Sequence, residues 1–176
     1  MRFRRDPDLR VFPVIPHGES RTRAAFVKLD AMNNDTLAQR YLAQWNEPDP
    51  RLRRALIRDL WAIDGAQVLV DPPQAMREAA AALAFPIPPL EVRGHDAVER
   101  RVTRAYEMFV EPGHRFAARG SVARLAANLV GFGWAMVDAD GAVVGGGYDV
   151  IALDDEGRIR LDQQYIGIDA PEVGAA

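Results

Sequence analysis

The sequence predicts an α+β fold, with helices gathered in the first two-thirds and an antiparallel meander in the last third. Two observations carry this. Apolar residues recur at helical spacing as far as Phe109 and at strand spacing from His114 onward. The later apolar runs are separated only by tight-turn signals, Asn128, Asp140-Gly141 and Glu156-Gly157, which leaves no room for the crossover helices of a βαβ pattern.

Residues 1–32 show no sustained period. Arg2, Arg4, Arg5, Arg10, Arg21 and Arg23 are scattered among Pro and Gly, so this stretch reads as a flexible extension or as sequence upstream of a start at Met32. A domain over 33–170 and a tail over 171–176 complete the division. Asn34 and Asp35 can cap a first helix whose face carries Leu37, Ala38, Tyr41, Leu42 and Trp45, and Asn46-Glu47-Pro48 ends it. Asp49-Pro50 signals a second start, with Leu52, Ala55, Leu56 and Leu60 as its apolar stripe and Asp64-Gly65 as its stop. Val68-Leu69-Val70 is strand-like and closes on Asp71-Pro72. A short helix is expected within Gln74 to Ala84, broken by Phe85-Pro86-Ile87-Pro88-Pro89. Asp96 and Glu99 have capping-box spacing before the stripe Val98, Val102, Ala105 and Phe109, and Pro112-Gly113 ends that helix. Strands are expected over Arg115–Arg119, Leu129–Val137, Ala142–Leu153 and Arg158–Ile166.

Composition narrows the function classes. A chain of 176 residues with 48% apolar content can bury a core and is not globally disordered. No apolar run approaches the ~20 residues that cross a bilayer, and no apolar segment follows the N-terminal arginines as a secretory signal would require, so no membrane partner is expected. The absence of cysteine excludes thiolate chemistry and fits a cytoplasmic location. A net charge of −3 gives no reason to expect nucleic acid. Three histidines without ligand spacing predict no metal, and Gly145-Gly146-Gly147 lies in strand-like sequence with no helix after it, so no phosphate loop and no cofactor are expected.

Three segments carry a resemblance to a known family. The first is Arg40-Tyr41-Leu42-Ala43-Gln44-Trp45-Asn46 with Glu47-Pro48-Asp49. The second is Val70-Asp71-Pro72 with Gly94-His95-Asp96-Ala97-Val98, and the third is Gly146-Gly147-Tyr148-Asp149-Val150, with Asp149 eight residues before Gly157. In this order they resemble the SnoaL-like branch of the nuclear transport factor 2-like superfamily. The resemblance implies a cone: a curved, mostly antiparallel sheet with N-terminal helices enclosing a small-molecule pocket, commonly paired as a homodimer. Residues 73–90 would be an insertion relative to the family, and a possible lid.

Within the superfamily, three positions are similar to ketosteroid isomerase. That similarity implies Asp71 as the general base, Tyr41 as a hydrogen-bond donor to an oxyanion, and Asp149 as a neutral second donor; this isomerase is a standard worked case of such a trio. Asp149 would then sit among apolar groups, with Gly147 leaving its strand face open to a ligand. Each residue also has a plain reading. Asp71 can end a strand before proline, Tyr41 can be a core tyrosine, and Asp149 can be a hydrogen-bonded structural acid. Trp45, Phe109, Phe132 and Trp134 line a ligand under the first reading and are ordinary core under the second. Three functions follow: a cofactor-independent acid–base enzyme, isomerase or polyketide-cyclase-like, acting on a hydrophobic carbonyl compound; a non-catalytic ligand-binding or dimerisation module; and, less favoured because no Arg can be placed between two Asp, a related hydrolase or dehydratase.

Overall fold

The computed structural model describes residues 34–70 and 91–167, together with Pro72, Gln74 and Glu78. Helices α1 (Asn34–Asn46) and α2 (Pro50–Leu60) come first, then β1 (Trp61–Leu69), β2 (Glu91–Arg93) and α3 (His95–Ala105). A single π-helical segment, Tyr106–Val110, prolongs α3. Strands β3 (Arg115–Ala126), β4 (Leu129–Val137), β5 (Val143–Leu153) and β6 (Ile159–Ile166) follow. The six strands form one curved, unclosed sheet in the order β2-β1-β6-β5-β4-β3. Every pairing is antiparallel except β1 with β6, which is parallel. This is the α+β cone architecture expected from the sequence.

The helices pack onto one face of the sheet and make the core there. Leu37, Tyr41 and Trp45 of α1, Ile57 and Leu60 of α2, and Val98 and Val102 of α3 are buried against Trp61, Val130, Phe132, Ile151 and Ile159. The predicted face of α1 is fully buried. Asp49 caps α2 by accepting from the Arg51 N–H at 2.8 Å, with Pro50 opening the helix, as predicted.

Several local expectations are corrected. The buried stripe of α2 is Arg53, Ile57 and Leu60, whereas Leu52 is 55% exposed and Ala55 is exposed as well. The helix is turned because Arg53 can be buried usefully. Its Nη1 donates to the Glu47 carbonyl at 3.0 Å, and its guanidinium lies 4.6 Å from the centroid of the Tyr106 ring. Asp64-Gly65 does not stop α2. The helix gives way at Trp61 to β1, and Gly65 sits where the β1–β6 register shifts, with room for no side chain: a Cβ there would lie 2.6 Å from the Ile159 carbonyl oxygen. Helix α3 has no side-chain cap. Gly94, at φ 80°, starts it, and Glu99 turns instead to Arg54 at 2.8 Å. Strand β3 runs on to Ala126, kinked after Arg119 at Gly120 with φ 74°. Of the helix expected within Gln74 to Ala84, Gln74 and Glu78 are helical. The rest of that helix and of the 73–90 insertion, the 1–32 extension and the 171–176 tail lie outside the described residues.

Candidate active site

Tyr41 projects from the buried face of α1 towards β6, where its hydroxyl donates to Asp162 Oδ2 at 2.5 Å. Gln67 of β1 reaches the same point. Its Nε2 donates to the Tyr41 hydroxyl at 3.0 Å and to Asp162 Oδ2 at 2.8 Å. From α3, Arg101 Nη1 donates to Gln67 Oε1 at 3.3 Å. Asp149 stands on β5 opposite Gln164, and Ile151 is opposite Asp162. The two carboxyls therefore share the helix-covered face of the sheet as diagonal neighbours. Tyr41, Gln67, Asp149 and Asp162 are all buried.

Asp149 Oδ1 accepts from Trp134 Nε1 at 3.1 Å. Trp134 can do this because its register partner on β5 is Gly147. A Cβ on Gly147 would lie 2.8 Å from the Trp134 ring and 2.3 Å from the Tyr165 carbonyl oxygen. The strand face at Gly147 is thus covered by the indole and is not the open surface expected from the sequence. Among the described residues, Asp149 Oδ2 and Asp162 Oδ1 are buried without a hydrogen-bond partner, as are Trp45 Nε1, Gln44 Nε2 and Arg53 Nε.

An aromatic wall surrounds this cluster. Tyr41 meets Phe132 edge-on at 5.5 Å and Trp45 at 6.0 Å. Phe116 joins Trp45, Trp134 and Phe109, at centroid separations of 6.0, 5.8 and 6.4 Å. Trp45, Phe132 and Trp134 are buried and Phe109 is half-buried. All four predicted lining aromatics therefore belong to one assembly, with Phe116 as a member that the sequence did not single out.

Burial dominates the electrostatics. It pushes the Asp149 carboxyl well above the usual carboxylate range, helped by the neighbouring Asp162 charge, while Trp134, Tyr41 and Gln164 offset part of the rise. Asp162 is pushed up to about 6 by burial, held back by the Tyr41 and Gln67 donors and by the Arg101 charge. The Tyr41 phenol is raised well above its ordinary value by burial and then by the two carboxyls. Burial thus disfavours ionising both acids at once, and they titrate as a pair.

The structure thus brings Tyr41 and Asp149 together, as the family pattern implies. Asp71 lies outside the described residues; the chain leading to it is fixed by Val70, whose N–H donates to the Gln164 carbonyl at 2.9 Å. Sequence reading missed Asp162 and Gln67. Strict alternation from the buried Ile159 turns Asp162 to the opposite face, but the β5–β6 register shifts between Leu153 and Ala152 and brings it inward.

No protein-family model and no functionally curated protein matches the sequence. Solved structures do. A SnoaL-like family protein from Agrobacterium tumefaciens, described as a candidate isomerase, is 30% identical, with a TM-score of 0.61 over 77% of this chain and 97% of its own. The chain belongs to the SnoaL-like family. An NTF2-like protein of unknown function from Exiguobacterium sp. 255-15 shares this SnoaL-like fold at 19% identity and a TM-score of 0.53, over 76% of this chain and 100% of its own. So does an epoxide hydrolase/cyclase-like enzyme of pyran-ring formation in salinomycin, at 15% identity and a TM-score of 0.51, over 80% of this chain and 95% of its own. The SnoaL-like domain has no helix among its described residues long and apolar enough to span a membrane.

Proposed function

We propose that this SnoaL-like protein is a cofactor-independent acid–base enzyme acting on a small hydrophobic carbonyl compound, as an isomerase or a polyketide-cyclase-like catalyst. The observation that carries the reading is the buried Tyr41–Asp149–Asp162 cluster with its two unpartnered carboxyl oxygens. Burying an unpaired polar group costs about 1–3 kcal/mol, and more for a charged one. A merely structural core would avoid that cost with apolar side chains, whereas a guest carrying both an acceptor oxygen and an acidic hydrogen would relieve it. Neutral Asp149 is suited to hold a carbonyl oxygen, and the aromatic wall of Trp45, Phe116, Phe132 and Trp134 is suited to an apolar body. The family resemblance offers Asp71 as proton acceptor; Asp162 is a second carboxylate already in the cluster.

The reading is tested by screening 3-oxo steroids and polyketide-like ketones against the wild type, Tyr41→Phe and Asp149→Asn. The expected result is turnover that falls by at least tenfold in Tyr41→Phe and further in Asp149→Asn, with circular dichroism unchanged. Binding without turnover in all three proteins would instead identify a ligand-binding module.

The same reading includes a homodimer formed through the sheet face turned away from the helices. That face carries Gly131, Gly133, Ala135 and Tyr148, with Leu125 and Val144 exposed at 45% and 49%. Light scattering on the purified protein at micromolar concentration should give twice the chain mass.

A further inference from the structure

The three tryptophans fare differently. Trp61 Nε1 donates to Gln44 Oε1 at 2.9 Å, and Trp134 Nε1 donates to Asp149 Oδ1 at 3.1 Å. Trp45 is buried as deeply as Trp134, yet its Nε1 meets no acceptor among the described residues. An indole has one polar atom, and that atom can only donate. Gln44 and Arg53 also bury an idle N–H, but each is anchored through another atom. Gln44 accepts from Trp61, and Arg53 donates to the Glu47 carbonyl. Trp45 has no second bond. Phenylalanine would pack here without stranding a donor, whereas the indole carries the cost of an unpaired buried N–H.

This indole stands inside the aromatic wall of the candidate site. Its ring lies 6.0 Å from that of Tyr41 and 6.0 Å from that of Phe116, which is in turn 5.8 Å from Trp134. Tyr41 and Trp45 are one turn apart on the buried face of α1, a rise of about 6 Å. The Tyr41 hydroxyl is committed to Asp162, so Trp45 is offset from the acids along the helix. The acceptor it lacks is a neutral oxygen, because a further negative charge would face two buried carboxyls in a dry surrounding.

Resting on the acid–base reading above, we propose that Trp45 is the specificity-determining residue of this site, its Nε1 donating to a second, neutral oxygen of the guest. The substrate class is then a dicarbonyl compound with an apolar body between its two oxygens. One carbonyl is held at the Tyr41–Asp149–Asp162 cluster and the other at Trp45. A buried donor discriminates chiefly against a guest without the matching acceptor, since that guest seals the N–H in unpaired. Trp45 touches the guest away from the reacting carbon, so it governs binding and not proton transfer.

The matched probes are 2-decalone and trans-decalin-2,6-dione, which share a fused two-ring body and differ by one carbonyl. With the full chain carrying 15N-labelled indoles, each tryptophan gives one Nε1–H resonance, and NMR titration reads binding and hydrogen bonding together. The dione is expected to bind about tenfold more tightly than the monoketone and to move the Trp45 resonance downfield, with 2-decalone leaving it nearly in place. Trp45→Phe removes that resonance, which assigns it, and should bring the two affinities to within about the twofold that two equivalent carbonyls allow. A dione that binds without moving the Trp45 resonance overturns the role of Trp45 and leaves the acid–base reading standing. So does a tenfold preference that survives in Trp45→Phe, and so do wild-type affinities within that twofold. If Trp45→Phe fails to fold, assignment through the labelled backbone of the wild type identifies the resonance and the titration still decides. Binding of neither ketone overturns both the role of Trp45 and the carbonyl-compound reading.

Discussion

Gly147 forgoes a side chain so that the Trp134 indole can lie across its strand and reach Asp149 Oδ1. Replacing it with alanine forces the ring or the Tyr165 carbonyl aside, and overpacking of this kind typically costs about 1–3 kcal/mol. Gly147→Ala should therefore unfold at lower urea, as should Trp134→Phe, which deletes the indole N–H and part of the buried ring. Urea titration of both variants with intrinsic fluorescence checks this. At this scale the sequence was legible where a residue's role is local. Tyr41 and Asp149 stood in motifs that could be matched by spacing, and their burial followed from a helical face and a strand. Asp162 was not legible, because its inward turn depends on a register irregularity between two strands. Gly147 was read for the space it leaves, but the neighbour that fills that space sits on another strand.

Among the elements, α1 is fixed to the edge of the sheet by its last residue. Asn46 imitates a strand: its Oδ1 accepts from the Phe116 N–H at 2.9 Å and its Nδ2 donates to the Phe116 carbonyl at 2.8 Å. The same Nδ2 reaches the Leu42 carbonyl at 3.0 Å, closing the helix end. This clamp sets the height of Tyr41 above β6. Asn46→Ala should cost about 3 kcal/mol from three lost bonds to the backbone, at roughly 1 kcal/mol each. Guanidinium denaturation measures it, and the variant should also show weakened protection of the Phe116 amide in hydrogen exchange. Most element types could be read from periodicity, and β4 and β6 fall within a residue of the expected runs, but β2 was not foreseen and β1 begins at Trp61 instead of Val68. The rotation of α2 could not, because it rests on a buried arginine whose partners, the Glu47 carbonyl and the Tyr106 ring, are set by tertiary packing.

For the whole molecule, the buried acids tie stability to pH. Asp162 has a folded value of about 6, above the ~3.9 of an unfolded aspartate, so the native state holds its proton more tightly. This contribution is fully present below the unfolded value and is lost as pH rises through about 6. Asp149, raised further, continues the same trend to higher pH. The Tm should accordingly fall between pH 5 and pH 7, and fall less in Asp162→Asn. Scanning calorimetry of the two proteins across that range checks it. Ionising the buried pair is then the destabilising step, a trade common at functional sites.

The lone parallel pairing has a bearing on how the chain assembles. Trp61 waits for Ile159, and Leu69 for Gln164, across nearly the whole described chain. Proteins emerge from the ribosome N-terminus first, and pairings of such long range are slow to form. The inner edge of β1 therefore stays without its strand partner until the last strand slides in between β1 and β5. A nascent chain halted before Ile159 would be a natural client for chaperones.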